Sequence, residues 1–195
     1  VLEGMPSSTP DKPIVSTTQL ELSFALVETG SLQPTISQSQ IYLNNLGEPT
    51  EWTGTTNAPA RITFSGAGPI TGATNVRAIN SVVNDTITFT NDSPISIRSL
   101  FSVLTFKMNP SAANVANRVR LRLSFRLGGS LVGNTIALNN GSYGYVANSN
   151  VVQTISISLI DFGLTSLSIV DNLFIENVNT ANAVYNYYMG DVKLQ

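Results

Sequence analysis

Histidine and cysteine are both absent from this chain of 195 residues. These two residue types supply most zinc ligands, most conventional nucleophile and base pairs, and all disulfides. Serine and aspartate are present, but without histidine they cannot form a conventional catalytic triad. Lys12, Lys107 and Lys193 lack the Ser-x-x-Lys setting in which a lysine serves as the base. We therefore predict a non-enzymatic protein that needs no cofactor.

Charged residues are also scarce, at 11% of the chain against about 25% in a typical domain. The net charge of −2 and the pI near 5.0 argue against general nucleic-acid binding. No apolar run approaches the roughly 20 residues that span a bilayer, and no signal segment opens the sequence. We expect a neutral polar surface, no nucleic-acid partner and no membrane insertion.

The first residues differ in composition from the rest of the chain. Pro6, Pro10 and Pro13 lie among serine and threonine residues, and this spacing favours an extended, unpaired backbone. We predict an arm or linker at residues 1–18 and a single domain at residues 19–195. A domain of that length can bury a core without a disulfide or a metal.

From Gln19 onward, hydrophobic residues recur with a period of two, which predicts half-buried strands. Beyond the first strand, the pattern predicts strands at 39–43, 60–65, 86–90, 95–106, 117–126, 151–162, 167–177 and 183–194, with shorter ones at 135–138 and 143–146. The best helical candidate, 111–115, is too short to stand alone. The predicted fold class is all-β, an antiparallel two-sheet sandwich of jelly-roll type.

The segment 117–126 carries four of the ten cationic residues on one predicted strand. Alternation places four arginines on one side of it: Arg118, Arg120, Arg122 and Arg126. One interpretation is a face for an anionic ligand, because guanidinium groups bind carboxylates and phosphates through planar pairs of donors. The alternatives are a solvated row paired across strands with Glu176 or Asp161, and a contact with another subunit.

Two rows near the end of the sequence suggest an oligomer interface. In 151–160, core-type isoleucine and leucine residues alternate with a small uncharged row: Thr154, Ser156 and Ser158. In 183–194, one side of the strand carries an aromatic and methionine row, a composition typical of interface cores: Tyr185, Tyr187 and Met189. The alternatives are a contact with sugar hydroxyls for the first row and ordinary burial of the tyrosines for the second.

Acidic and amide side chains allow two further hypotheses. Glycoside hydrolysis needs two carboxylates about 5–10 Å apart, and the candidates are Asp161, Asp171 and Glu176. These acids on neighbouring strands more often pair with the arginine row. Calcium is possible at 84–85 or 91–92, where Asn and Asp cluster, but the EF-hand spacing is missing and turn formation explains these residues better.

The last strands of the chain follow a regular rhythm, with ISISL at 155–159, LFIEN at 173–177 and YYMGDVKLQ at 187–195. They resemble the closing strands of jelly-roll appendage domains of viruses and bacteriophages, in particular trimeric heads of the tumour-necrosis-factor or complement-C1q type. The resemblance implies a homotrimer on the virion surface, at a fibre tip or on a capsid. Its implied partners are other virion proteins or a host-surface glycan.

Two functions from different classes follow. The preferred one is a virion structural or attachment protein that assembles through its β faces. The alternative is a carbohydrate-binding module or adhesin domain of a secreted or cell-surface protein, and hence an extracellular location. Such a module stacks sugars on aromatic rings, and the candidate platform is Trp52, in the polar stretch 30–60, with Tyr143 or Tyr145.

Overall fold

A computed structural model describes residues 39–42, 51–72, 75–111, 119–179 and 184–195, all of which lie in one compact unit, Ile36–Gln195. Eleven strands lie in these ranges: β1 Ser39–Tyr42, β2 Trp52–Thr56, β3 Ile62–Gly66, β4 Asn75–Ser81, β5 Thr86–Ser96, β6 Val103–Pro110, β7 Leu121–Leu127, β8 Ser130–Leu138, β9 Gln153–Ser158, β10 Ile169–Asn177 and β11 Tyr185–Leu194. A one-turn helix, α1 Ile97–Leu100, and a 3-10 helix, Ser142–Gly144, join some of them. The predicted arm at 1–18, the first predicted strand, residues 112–115 of the helical candidate and Arg118 lie outside the described residues.

The strands form two sheets in which every pair is antiparallel. Sheet A has the order β3-β4-β11-β6-β9, with β1 also paired to β11, and sheet B has the order β2-β5-β10-β7-β8. The predicted antiparallel two-sheet sandwich of jelly-roll type is confirmed.

The core lies between the two sheets and is built by alternation along the strands. Leu121, Leu123 and Phe125 of β7 are fully buried, whereas Arg122, between the first two, is exposed. Phe125 meets Phe162 edge to face, with ring centroids 5.0 Å apart. Each such side chain contributes roughly 1.5–3 kcal/mol through burial. Burial of these side chains is the main favourable contribution to the stability of the described residues.

Two predicted strands are corrected by the structure. The run 95–106 is not one strand, because α1 interrupts it where the chain crosses from β5 in sheet B to β6 in sheet A. Ile97 and Phe101, four residues apart, are both buried by this helical turn. At 143–146 the chain forms the 3-10 helix instead, since Gly141 and Gly144 adopt positive φ and turn the backbone.

Two strands are present where the sequence pattern predicted none. β2 lies within the polar stretch 30–60, and β4 follows the Gly-rich turn after β3. β2 has one large apolar residue, the buried Trp52, and the buried apolar residues of β4 are Val76 and Ala78, so the alternation is weak in both sequences. No described residue belongs to a helix that is long and apolar enough to cross a membrane.

Candidate functional site

The outward side of sheet B carries three of the charged residues that the sequence singled out, Arg122, Arg126 and Glu176. Buried residues of β10, such as Leu173 and Ile175, point to the core, so the residues between them point outward. We call this surface the sheet B face and define it by these residues: Thr53, Thr55, Thr86, Thr88, Thr90, Arg122, Ser124, Arg126, Asn172, Phe174 and Glu176.

Strand register arranges these side chains in three rows across the sheet. The first row runs Thr53, Thr90, Asn172 and Arg126 on successive strands. The second runs Thr55, Thr88, Phe174 and Ser124, and the third runs Thr86, Glu176 and Arg122. Hydroxyl groups therefore occupy the β2 and β5 side of the face, and guanidinium groups occupy the β7 side.

Arg122 forms an ion pair with Glu176 across β7 and β10. Its Nε also donates a hydrogen bond to Glu176 Oε2 at 3.0 Å. For Arg122 this is the cross-strand pairing with Glu176 that the alternative interpretation of the arginine row predicted. Arg120 is exposed and forms no ion pair with another described residue, and Asp161 is not a partner of this row.

Arg126 has a different environment from Arg122, although both point outward from β7. Its guanidinium carbon lies 3.5 Å from the centroid of the Phe174 ring, a cation-π contact. Its Nε is buried and has no hydrogen-bond partner among the described residues. Beside it, Thr90 Oγ1 donates to Asn172 Oδ1 at 2.7 Å, which holds the Asn172 amide in place. The middle of the face is thus a planar, partly desolvated stack surrounded by fixed polar groups.

The aromatic platform predicted from the sequence does not form. Trp52 and Tyr145 are buried, at 4% and 0% exposure, so neither ring offers a face to a sugar. The Tyr145 hydroxyl donates to the Val119 carbonyl at 3.1 Å, and burial raises its pKa. Trp52 lies on β2, whereas Tyr143 and Tyr145 follow β8 at the opposite edge of sheet B, so the rings are not brought together.

Tyr143 keeps a partly exposed ring in the 3-10 helix. Partial burial and the neighbouring carboxylate of Asp161, to which the hydroxyl is hydrogen-bonded, raise the pKa of Tyr143. A role of Tyr143 in sugar stacking stays a prediction, although the buried Trp52 cannot stack on a sugar beside it.

The structure buries one of the two predicted interface rows and leaves the other at the surface. Tyr185, Tyr187 and Met189 share one side of β11, as predicted, but that side is the core, where they are 4%, 1% and 0% exposed. They are therefore closed to another subunit, because β11 is the middle strand of sheet A and lies over sheet B. The row of small residues on the edge strand β9 points outward, with Thr154 and Ser156 exposed and Ser158 partly exposed. A homotrimer stays a prediction, now resting on this row.

The three acids considered for glycoside hydrolysis are dispersed. Asp171 and Glu176 are five residues apart on one strand, about 16 Å at 3.3 Å per residue, beyond the 5–10 Å that the reaction requires. Asp171 accepts a hydrogen bond from the Gly128 N–H at 2.9 Å and contacts Asn172, and Asp161 is engaged with Tyr143.

The two calcium candidates are also engaged by protein groups. The Asp85 carboxylate is buried and accepts two hydrogen bonds from the Arg61 guanidinium and one from the Val82 N–H at 2.9 Å. Asn91 Oδ1 accepts from the Ser93 N–H at 2.9 Å, as expected for a turn. The described residues contain no group of three acidic side chains able to hold a metal ion.

Phe174 and Asn172 were missed by sequence reasoning. The signal was present, because β10 reads IVDNLFIEN and Phe174 is an apolar residue at a position where alternation requires a polar one. An outward phenylalanine in an otherwise regular strand indicates a covered or binding position on the outer face.

No family model matches this chain, and no curated protein matches it in sequence. Solved structures with a similar fold are known. The family 30 carbohydrate-binding module of the cellulosomal cellulase Cel9D-Cel44B of Clostridium thermocellum aligns with a TM-score of 0.51 and 12% identity, covering 81% of this chain and 96% of that one. The K3 cleaved adhesin domain of Lys-gingipain from Porphyromonas gingivalis W83 aligns with a TM-score of 0.51 and 10% identity, covering 82% and 99%.

A further structure of a family 30 carbohydrate-binding module aligns with a TM-score of 0.50 and 14% identity, covering 81% of this chain and 98% of that one. At these identities the likeness shows the fold alone. None of these structures is a viral appendage or a head of the tumour-necrosis-factor or C1q type, so the virion prediction gains no support from them.

Proposed function

We propose that this chain is a non-catalytic glycan-binding domain of a secreted or cell-surface protein, and that the sheet B face binds the glycan. The observation that carries the proposal is the composition of that face. Hydroxyl, amide and guanidinium groups on four neighbouring strands surround one planar stack, that of Arg126 on Phe174.

The chemistry of the face suits a sugar chain. Each sugar hydroxyl both donates and accepts hydrogen bonds, and the face offers threonine hydroxyls, the Asn172 amide, guanidinium donors and the Glu176 carboxylate. Neighbouring strands lie about 4.8 Å apart, so the four strands of the face extend over about 14 Å. An extended oligosaccharide fits such a surface better than a small compact ligand, for which pockets are preferred.

The fold neighbours support this choice over the virion role. A carbohydrate-binding module and an adhesin domain with this sandwich are parts of bacterial proteins, one of them a cellulase. This matches the alternative function raised by the sequence, in which the ligand is a glycan and the location is extracellular. The aromatic platform is replaced in the proposal by the polar sheet B face.

Binding to a panel of immobilised polysaccharides tests the proposal. The double variant Thr88→Ala/Asn172→Ala removes two polar groups from the face, each worth roughly 0.5–1.5 kcal/mol in hydrogen bonding, so affinity should fall about tenfold. The matched variant Thr154→Ala/Ser156→Ala, on the outward side of sheet A, should bind as the parent protein does. Equal losses in both variants would contradict the choice of face.

A further inference from the structure

Arg126 is the one guanidinium of the sheet B face that has no anionic partner among the described residues. It forms no ion pair with them, and its Nε lacks a hydrogen-bond acceptor although it is buried. The Phe174 ring covers one side of the guanidinium plane at 3.5 Å. A cation in this position is partly desolvated but not neutralised.

The two carboxylates near this part of the face, Glu176 and Asp171, offset the charge of the arginines only in part. Glu176 is paired with Arg122. Asp171 accepts hydrogen bonds from the Gly128 N–H, at 2.9 Å, and from the Asn172 amide. Arg120, directly before β7, is exposed and forms no ion pair with another described residue. Arg120, Arg122 and Arg126 thus outnumber these two carboxylates by one. The β7 side of the face is therefore locally positive in a chain of net charge −2.

A guanidinium is a planar fork of donors that fits a carboxylate or sulfate through two parallel hydrogen bonds. Stacking on Phe174 fixes the plane of the Arg126 guanidinium group in the absence of a ligand. This preorganisation lowers the entropic cost of binding. The neighbouring Asn172 and Thr90 side chains are already held by their mutual hydrogen bond. Arg126, Asn172 and Thr90 form a preorganised binding site for one anionic substituent on a sugar.

We propose that the ligand of the sheet B face is an acidic polysaccharide, and that Arg126 binds its carboxylate or sulfate groups. This inference rests on the proposed glycan-binding function and narrows it to a chemical class. Arg122 contributes less to the selection of an anion, because Glu176 neutralises it.

The test compares pairs of polymers that share a backbone and differ in charge. Polygalacturonate is compared with its methyl-esterified form, and carboxymethylcellulose with hydroxyethylcellulose, by titration calorimetry at 50 and 500 mM NaCl. We expect binding to an acidic member of a pair at least tenfold tighter than to its neutral partner. The difference should shrink at the higher salt concentration, where the Debye length is shorter.

Variants assign this preference to one residue. Arg126→Gln should reduce acidic binding at least tenfold and remove most of its salt dependence, and Arg126→Lys should restore only part of it because lysine lacks the fork. Arg77→Gln, an exposed arginine on sheet A, is the control and should change nothing. Urea unfolding of Arg126→Gln confirms that the variant is folded.

The outcomes separate the two proposals. Binding of neutral polymers with no preference for acidic ones, and no effect of Arg126→Gln, would overturn the acidic-ligand inference and leave the glycan-binding function standing. An absence of binding to every polymer would overturn both. Equal effects of Arg126→Gln and Arg77→Gln would mean that net charge, and not the stacked fork, selects the ligand.

Discussion

The buried carboxylate of Asp85 provides the sharpest test of how this fold is stabilised. Its side chain is 4% exposed and accepts two hydrogen bonds from Arg61, one from the Val82 N–H and one from the Ser81 side chain. Asp85→Asn keeps the volume and removes the charge. One carboxylate oxygen becomes an NH2 group that faces a donor, so one hydrogen bond is lost. The bond from the Val82 N–H becomes neutral, whereas Arg61 keeps its charge.

The magnitude follows from the number of donors. Hydrogen bonds to charged groups contribute about 1.5–3 kcal/mol and neutral ones about 0.5–1.5, a difference of about 1 kcal/mol per bond. One lost bond to the carboxylate, about 1.5–3 kcal/mol, and one bond weakened by about 1 kcal/mol predict a loss of about 3 kcal/mol in the free energy of unfolding. For a chain of this size, the corresponding fall in Tm is about 6–12 °C.

Urea unfolding followed by tryptophan fluorescence measures this loss. Trp52 is the single tryptophan and is buried, so its emission reports on the folded state. Glu176→Gln is the matched control, since it removes a carboxylate from an arginine pair on the exposed face, where the loss should stay within about 1 kcal/mol. Equal losses in the two variants would refute the reasoning.

The pH dependence of the free energy of unfolding provides a second test of the contribution of Asp85. Burial alone would raise the pKa of Asp85, but hydrogen bonds from Arg61 and Val82 outweigh it and hold this pKa below its usual value. The stabilisation is therefore complete above the unfolded pKa, about 4, and is lost as pH falls through the lower folded pKa. The gap between parent and Asp85→Asn should narrow from pH 7 to pH 2, and a constant gap would show that the charge is not its source.

Three further outcomes are expected. Tyr187→Glu should abolish cooperative folding by circular dichroism, since it places an unpaired carboxylate at a fully buried site; a folded variant would contradict the placement of Tyr187 in the core. Gly133→Ala should lower the urea midpoint more than Gly128→Ala, because both have positive φ but only at Gly133 would the new Cβ lie 2.1 Å from the Phe162 carbonyl oxygen; equal shifts would contradict this contact. Burial raises the pKa of Tyr42 to about 12, so its contribution to stability, complete below pH 10, should be lost as pH rises through 12; spectrophotometric titration of Tyr42→Phe against the parent should show one high-pKa phenol fewer.

Alternation was sufficient to predict most strands of this fold and their inward side chains. It could not decide which side of a strand faces the core when both sides carry large residues. β11 shows this, since Tyr187 and Met189 are buried while Tyr188 between them is partly exposed. Only the position of β11 in the middle of sheet A, flanked by β4 and β6, resolves the choice.

The candidate site was harder to predict because it depends on register between distant strands. Arg122 and Glu176 are 54 residues apart, and their pairing was anticipated from charge alone. The contact of Arg126 with Phe174 was not, since no local pattern relates the two positions. The prediction that Trp52 is exposed in a sugar-stacking platform was wrong for a related reason. β2 is an edge strand with outward threonines, and its sequence is therefore as polar as a loop.

The position of β11 has a consequence for how the chain acquires its structure during synthesis. β11 is the last strand in chain order, yet it pairs with β4, β6 and β1, and Gln40 reaches Val192 across 152 residues. Sheet A therefore lacks its middle strand until Tyr185–Leu194 has left the ribosome. At about 5–20 residues per second, β1 and β4 remain without their partner strand for about 6–30 s. Folding of this domain should therefore be late relative to the synthesis of its first strands, and until β11 is available the open strand edges can pair with other chains.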